Sequence, residues 1–114
     1  NKKINLYGTG TPLRQFMNAR DFAQIIKRMI DEDITESFNV ASEDNLSIDA
    51  IARIALKACD CEHISLEYDT SKPDGQYRKD VSTERLKSIF PDIKFTNLSK
   101  GIKEVFEMLE NTQT

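Results

Sequence analysis

Short segments with strand character are interleaved along this chain with apolar stripes that recur at helical spacing. Residues 4–7, 37–40 and 63–68 are predicted strands, and in the last of these apolar and polar residues alternate. The first helical stripe consists of Phe22, Ile25, Ile26, Met29 and Ile30. Interleaving of this kind favours helices layered on strands. We therefore predict an α/β fold in which helices alternate with short strands.

The helix boundaries can be predicted from capping residues. Ser47 is the clearest N-cap, because Leu46 and Ile51 occupy the two positions of a hydrophobic staple around it. Ser82 is predicted to cap a shorter helix that ends before Pro91. The terminal helix is predicted from a stripe that contains Leu98, Ile102, Val105, Phe106 and Leu109.

The remaining elements are predicted less directly. The first helix is expected to begin near Asn18 or Arg20 and to end within the acidic residues 31–33. Brief extended pieces are predicted at residues 15–17 and 93–95. No linker or internal repeat divides the chain, so residues 1–114 are treated as one domain.

Composition narrows the classes of partner. A net charge of −3 argues against a nucleic-acid surface, although a few local arginines suffice for an anionic ligand. No apolar run approaches the length of a membrane span, so no membrane partner is expected. Cys59 and Cys61 lack the further ligands of a zinc site, and no metal site is predicted. They are interpreted as reduced thiols of a cytoplasmic protein.

Two segments combine turn residues with an arginine. Residues 7–14, here called the glycine loop, read Tyr-Gly-Thr-Gly-Thr-Pro-Leu-Arg, and residues 71–80, here called the proline loop, read Ser-Lys-Pro-Asp-Gly-Gln-Tyr-Arg-Lys-Asp. The guanidinium of Arg14 can bind a diphosphate with parallel hydrogen bonds, unless an acidic neighbour occupies it. Asp74 can accept hydrogen bonds from ribose hydroxyls or a guanine edge, or simply suit a Pro-Asp-Gly turn. Arg78 can supply a second cation.

The order of these motifs resembles the C-terminal part of extended short-chain dehydrogenase/reductases, in their nucleotide-sugar epimerase and dehydratase branch. The resemblance rests on the glycine loop, Phe-Asn-Val-Ala at 38–41, Leu-Ser-Ile at 46–48 and Ser-Lys-Pro-Asp-Gly in the proline loop. It covers nearly all of the chain. Two departures stand out, since Tyr7 replaces a common tryptophan and Arg20-Asp21 replaces a common Asp-Asp pair.

This resemblance implies a substrate-binding domain whose N-terminal Rossmann domain is absent from the chain. It also implies that the absent domain binds NADP or NAD, that the parent enzyme is a homodimer, and that the ligand is a nucleotide-diphosphate sugar, in the first instance a GDP-sugar. The substrate-binding residues would be Tyr7, Arg14, Asp74 and Arg78. No catalytic, cofactor or metal residue is assigned, and the chain alone is expected to be inactive.

A Tyr-x-x-x-Lys match and a glycine turn suggest a catalytic pair and a cofactor site, but neither motif is supported by its sequence context. Tyr68 and Lys72 match the Tyr-x-x-x-Lys pair of the reductases, but Tyr68 ends a strand pattern and Lys72 precedes a proline, which disfavours a helix. Gly8 and Gly10 lack the third glycine of a dinucleotide-binding turn. His63 is the single histidine and has no partners for a triad or metal cluster.

Two other interpretations stay open at this level. The chain could belong to a UDP- or dTDP-sugar epimerase or dehydratase of the same family. It could instead be a non-enzymatic α/β module whose charged loops bind a protein partner.

Overall fold

The computed structural model describes residues 2–42, 44–78 and 81–112 and confirms the predicted α/β class. Helices and short strands follow one another in the order β1 (Lys3–Tyr7), β2 (Leu13–Gln15), α1 (Ala19–Asp31), β3 (Asn45–Ser47), α2 (Ile48–Ala58), β4 (Ser65–Asp69), α3 (Glu84–Ile89) and α4 (Leu98–Thr112).

Two small sheets determine where the loops lie. β1 pairs in parallel with β4, and Tyr7 at the end of β1 lies opposite Asp69 at the end of β4. Parallel strands present their carboxyl ends at one edge, so the glycine loop and the proline loop start side by side. β2 pairs antiparallel with β3, with Arg14 opposite Leu46. The glycine loop therefore connects the two sheets.

Both long N-terminal helices begin at predicted polar caps. The hydroxyl oxygen of Ser47 accepts a hydrogen bond of 3.1 Å from the backbone N–H of Ala50, which confirms the predicted start of α2. Of the two residues considered for α1, Asn18 is the cap, since its side chain accepts a 2.7 Å bond from the backbone N–H of Arg20. These bonds satisfy N–H groups that have no partner within the helix.

A compact apolar core joins α1 and α3. Ile25, Leu86 and Phe90 are almost fully buried, and the ring of Phe38 meets that of Phe90 edge to face with centroids 6.2 Å apart. The guanidinium of Arg28 lies 4.3 Å from the Phe90 ring centroid, which adds a cation–π contact. Around them pack the partly buried residues Met29, Ile34, Phe38, Val40, Ile89, Ile93 and Phe95.

The strands predicted at 37–40 and 93–95 are wrong. In the described structure both segments are irregular, and their apolar residues cover the core instead of pairing with a strand. Phe38 and Val40 both pack against the core, but a strand also requires a neighbouring backbone with the right register. The extended piece predicted at 15–17 is displaced, because β2 ends at Gln15.

The predicted cap of α3 is also wrong. Its N-cap is Thr83, which makes no side-chain capping bond, whereas the Ser82 hydroxyl accepts only a long 3.4 Å contact from the N–H of Glu84. Leu86 nevertheless packs into the core as the helical stripe requires.

The molecule is flat, and much of its apolar surface is uncovered. Its principal extents are 53 × 38 × 20 Å, and its Cα radius of gyration is 16.8 Å, compared with about 13 Å for a compact chain of this length. In α4, Val105 and Leu109 are 50% and 57% exposed although both belong to the predicted stripe. The described residues therefore bury only part of what the helical pattern marks as apolar.

Candidate functional site

The glycine loop and the proline loop meet at the common edge of β1 and β4. The backbone N–H of Gly8 donates to the carbonyl of Asp69 at 2.8 Å, which continues the strand pairing into the loops. Further along, the N–H of Leu13 donates to the carbonyl of Tyr77 at 2.7 Å, and Leu13 forms an isolated parallel bridge with Arg78. The two loops thus form one continuous surface.

Asp74 joins the loops through its side chain. One carboxylate oxygen accepts a 2.6 Å hydrogen bond from the backbone N–H of Thr9, and the other accepts a 2.8 Å bond from the Thr9 hydroxyl. The carboxylate lies where a Cβ on Gly8 would stand, so any larger residue at that position would overlap it. Gly8 also has φ +81°, a conformation that glycine adopts without strain.

Arg14 lies on β2 beneath the proline loop. Its side chain is partly buried, its Nη1 donates to the carbonyl of Leu13 at 2.7 Å, and a Cβ on Gly75 would be 3.8 Å from its Nη2. Among the described residues no carboxylate is within ion-pair distance of its guanidinium. The acidic neighbour considered as an alternative partner is not found in that part of the chain.

A small cavity of about 180 Å³ opens next to Arg14. Apolar and polar side chains share its wall, which comprises Arg14, Phe16, Ser42, Asp44, Leu46, Ile51, Phe95, Thr96, Asn97 and Leu98. Ser42 is buried there, and its hydroxyl donates to the carbonyl of Phe16 at 2.9 Å. The cavity therefore offers a cation beside apolar walls.

Tyr7 and Arg78 flank the same surface. The Tyr7 side chain is 68% exposed at the end of β1, and the Lys72 ammonium lies 5.6 Å from its ring centroid. Arg78 is exposed beside the start of β2, at the far end of the described proline loop. Lys79 and Asp80, the last two residues of that loop, lie outside the described residues. All four predicted site residues therefore belong to the two loops that meet.

The first turn of α2 supports the glycine loop from below. The N–H groups of Ile48 and Asp49 donate to the carbonyls of Pro12 and Gly10 at 3.0 and 2.9 Å. A Cβ on Gly10 would lie 2.9 Å from a ring carbon of Tyr68, so the loop backbone rests directly on that ring. No signal in the local sequence indicated this support, because its parts come from separate elements.

A polar network holds the supporting ring in place. The Tyr68 hydroxyl donates to Asp49, and Arg53 donates to the other Asp49 oxygen at 3.0 Å and to the Tyr68 oxygen at 3.4 Å. The bond from Tyr68, followed by that from Arg53, holds the pKa of Asp49 below its ordinary value. The same bond to the carboxylate raises the pKa of Tyr68. Tyr68 acts here as a support, and Lys72 lies outside any helix.

The described residues do not fit a nicotinamide dinucleotide. The turn at Gly8–Gly10 leads into strand β2, whereas a dinucleotide-binding turn opens a helix whose N–H groups face the pyrophosphate.

Within residues 2–42, 44–78 and 81–112 no cluster of His, Cys, Asp and Glu could hold a metal ion, and no helix is long and apolar enough to cross a membrane. Cys59 and Cys61 are free, and burial raises the pKa of the Cys59 thiol.

Two curated proteins that are similar to this chain are both named as GDP-L-fucose synthases. The chain is 36% identical over its whole length to the GDP-L-fucose synthase of Dictyostelium discoideum, and 33% identical over 89% of its length to a probable GDP-L-fucose synthase of Drosophila melanogaster. The chain is similar to the C-terminal third of GDP-L-fucose synthase. No protein-family model matches it.

Among solved structures, the chain is similar to a GDP-L-fucose synthetase, and it shares its fold with other enzymes such as the dTDP-glucose 4,6-dehydratase of Bacillus anthracis, with a TM-score of 0.76 at 16% identity. The crystal structure of a GDP-L-fucose synthetase from Naegleria fowleri bound to NADP superposes with a TM-score of 0.85 at 31% identity, over 98% of this chain and 36% of that one. The chain spans about a third of the length of the relatives that it matches, 37% and 32% of the two curated proteins. The sequence resemblance to the reductase and epimerase family is thereby confirmed.

Proposed function

We propose that this chain is the part of a GDP-L-fucose synthase-like enzyme that holds the nucleotide-diphosphate sugar, in the first instance a GDP-sugar. The observation that carries the proposal is the meeting of the glycine loop and the proline loop. It brings Gly75 of the proline loop to the guanidinium of Arg14 and the backbone of Arg78 beside Leu13. One arginine from each loop is suited to a pyrophosphate, which accepts hydrogen bonds on several oxygens.

The proposed roles follow from the position of each side chain. Arg14 and Arg78 bind the diphosphate, and the exposed ring of Tyr7 contacts the sugar or the base. Asp74 belongs to the same surface, although Thr9 already occupies one hydrogen-bonding position on each of its oxygens. Together these residues would orient the sugar, and orientation alone supplies a large part of many rate enhancements.

The chemical step would depend on residues outside this chain. We propose that a Rossmann domain of the longer protein, which dimerises in the cytoplasm, binds NADP or NAD. That cofactor, when bound, supplies or accepts a hydride at the sugar. The residues described here would hold the sugar still during that transfer and would not exchange protons with it. The 114-residue chain alone should therefore oxidise no NADPH when a 4-keto sugar nucleotide is present.

The affinity of the chain for nucleotide sugars tests the proposal. We expect GDP-mannose to bind the wild-type chain weakly, as measured by isothermal titration calorimetry. Its affinity should still be higher than that of UDP-glucose or dTDP-glucose. Arg14→Ala should weaken GDP-mannose binding by a factor of about ten or more, because a charge-assisted bidentate contact is lost. Arg85→Ala is the matched control. Arg85 lies on α3, outside both loops, and donates a hydrogen bond to the carbonyl of Ser37.

Three outcomes would count against this assignment in different ways. A preference for UDP- or dTDP-glucose would transfer it to another nucleotide-sugar enzyme of the family. Equal losses in Arg14→Ala and Arg85→Ala would show that binding is a general charge effect. No binding at millimolar concentration of any of the three nucleotide sugars would favour the non-enzymatic module.

A further inference from the structure

The carboxylate of Asp74 spans the gap between the two loops. Its two oxygens accept hydrogen bonds from one residue, Thr9, at 2.6 Å from the backbone N–H and 2.8 Å from the hydroxyl, across 65 positions of sequence. The Thr9 hydroxyl is also 2.8 Å from that of Thr11. Charge-assisted bonds of this kind are stronger than neutral ones, so the pair forms a firm link.

The glycine loop is shaped to accept this carboxylate. A Cβ at Gly8 would overlap Asp74 Oδ1 and lie 3.2 Å from the Asp74 Cα, so the absence of a side chain at Gly8 is what admits the proline loop. The backbone N–H of Thr9 is then directed at the carboxylate and not at solvent.

The proline loop depends on this link for its position. Residues 71–78 are all exposed, in contrast to the buried positions 8, 10 and 12 of the glycine loop. In the described chain the proline loop contacts the glycine loop near its start through Lys72 and the Tyr7 ring, in its middle through Asp74, and at its far end through the bond between Leu13 and Tyr77. Without Asp74, the residues that precede Arg78 would lose their attachment at the middle.

Electrostatics argues against a direct contact between Asp74 and the diphosphate of a sugar nucleotide. A carboxylate facing a diphosphate would repel it, because both carry negative charge. Bonds from the Thr9 N–H and hydroxyl direct the carboxylate of Asp74 toward the glycine loop.

We infer that Asp74 is a positioning residue, which attaches the proline loop to the glycine loop and so keeps the segment that carries Arg78 against the segment that carries Arg14 for the diphosphate. The inference rests on the proposed function, and it differs from a direct contact between Asp74 and the ribose or guanine. Thr9 supplies the two hydrogen-bond donors of this link.

Three variants separate positioning from direct contact. Asp74→Ala removes the link. Asp74→Asn should keep it, because the amide oxygen still accepts from the Thr9 N–H while the amide nitrogen donates to the Thr9 hydroxyl, which can turn toward Thr11. Thr9→Val removes the hydroxyl bond to Asp74, together with the contact of that hydroxyl with Thr11, and leaves the bond from the backbone N–H. Glu62→Ala is the matched control, since it removes the same charge from an exposed position outside both loops.

GDP is the probe, with affinity measured by calorimetry. We expect Asp74→Ala to weaken binding by a factor of about ten and Thr9→Val by about three, while the double variant loses about ten and not thirty. Asp74→Asn should stay within about twofold of wild type, and Glu62→Ala should not weaken binding. Loss of an acidic residue beside an anion would strengthen binding if charge alone mattered, so a loss of affinity indicates positioning.

A ligand-free measurement checks that the link itself has changed. The amide proton of Thr9, bonded to a carboxylate at 2.6 Å, should resonate downfield in NMR spectra of the wild-type chain and should shift upfield in Asp74→Ala. Resonances of the α1–α3 core should not change, which shows that the variant is folded.

Each result has a definite meaning. Additive losses in Thr9→Val and Asp74→Ala, or a Thr9→Val variant that binds GDP as wild type does, would overturn the inference while leaving the proposed function intact. A wild-type chain that does not bind GDP would overturn the proposed function, and the inference with it.

Discussion

The two loops that meet at the candidate site are held in opposite ways. The glycine loop is supported on both sides: α2 and Tyr68 lie below it, and Asp74 lies above it. The proline loop is exposed along residues 71–78 and depends on its attachments to the other loop. Segments with few buried contacts open most easily, so the glycine loop is the fixed half of the site and the proline loop the adjustable half.

Two glycines, one in each loop, allow this difference in support to be tested by matched alanine substitutions. Gly8 and Gly75 have nearly the same backbone conformation, with φ +81° and +77°. A Cβ on Gly8 would overlap Asp74, whereas one on Gly75 would meet Arg14 Nη2 at 3.8 Å, an ordinary contact. The backbone strain of an alanine should be equal at the two positions, and only the packing differs.

The largest effect is expected for Gly8→Ala. It should lower the free energy of unfolding by about 3 kcal/mol, from left-handed strain together with loss of the bonds between Thr9 and Asp74. Gly75→Ala should lower it by about 1 kcal/mol, because only the strain applies. Urea unfolding followed by circular dichroism measures both. Equal losses of unfolding free energy at the two positions would show that the contact with Asp74 does not restrict which residue fits at position 8.

A smaller effect is expected for Tyr68→Phe, which weakens the support below the glycine loop. Loss of the hydroxyl bond to Asp49 should cost about 1 kcal/mol at pH 7. In wild type the depressed pKa of Asp49 gives stability that is present above the ordinary value of 3.8 and is lost as pH falls below it. Since Tyr68 is the main cause of that depression, the variant should lose less stability on acidification.

The measurement is the difference in unfolding free energy between pH 7 and pH 3 for wild type and variant. The two proteins should differ most at pH 7 and approach each other at pH 3. A constant difference across that range would mean that the bond between Tyr68 and Asp49 does not depend on the charge of the carboxylate.

The smallest effect is expected for Lys72→Gln in the proline loop. Its ammonium lies over the exposed Tyr7 ring, and a cation–π contact at such a site contributes about 0.5 kcal/mol. Thermal unfolding should change little, and the fluorescence of Tyr7 is the more sensitive probe. A loss as large as that of Tyr68→Phe would show that the proline loop supports the fold, contrary to its role as the adjustable half.

Local sequence signals predicted where helices begin better than they predicted which strands pair. The cap at Ser47 and the start of α1 at Asn18 depend on bonds within a few residues, and a sequence contains those directly. The strand predicted at 37–40 has no pairing strand in the described chain, and its apolar side chains pack against the core instead. Pairing depends on distant segments, which periodicity cannot identify.

The candidate site shows the same limit. Residue types and turn chemistry were sufficient to select Arg14, Asp74 and Arg78 from the sequence, with the family resemblance adding Tyr7. The bond between Asp74 and Thr9 could not be predicted, because it joins positions 65 residues apart. The support from Tyr68 was missed for a related reason, since only the parallel pairing of β1 with β4 brings its ring under Gly10.

The most direct test of the account is to map GDP binding on the wild-type chain by ¹⁵N NMR. If the two loops form one site, the amides of the non-proline residues in 8–14 and 71–78 should shift together along one saturation curve, while those of the α1–α3 core stay unchanged. Shifts in only one loop, or two curves with different affinities, would contradict the claim that the two loops bind a single diphosphate.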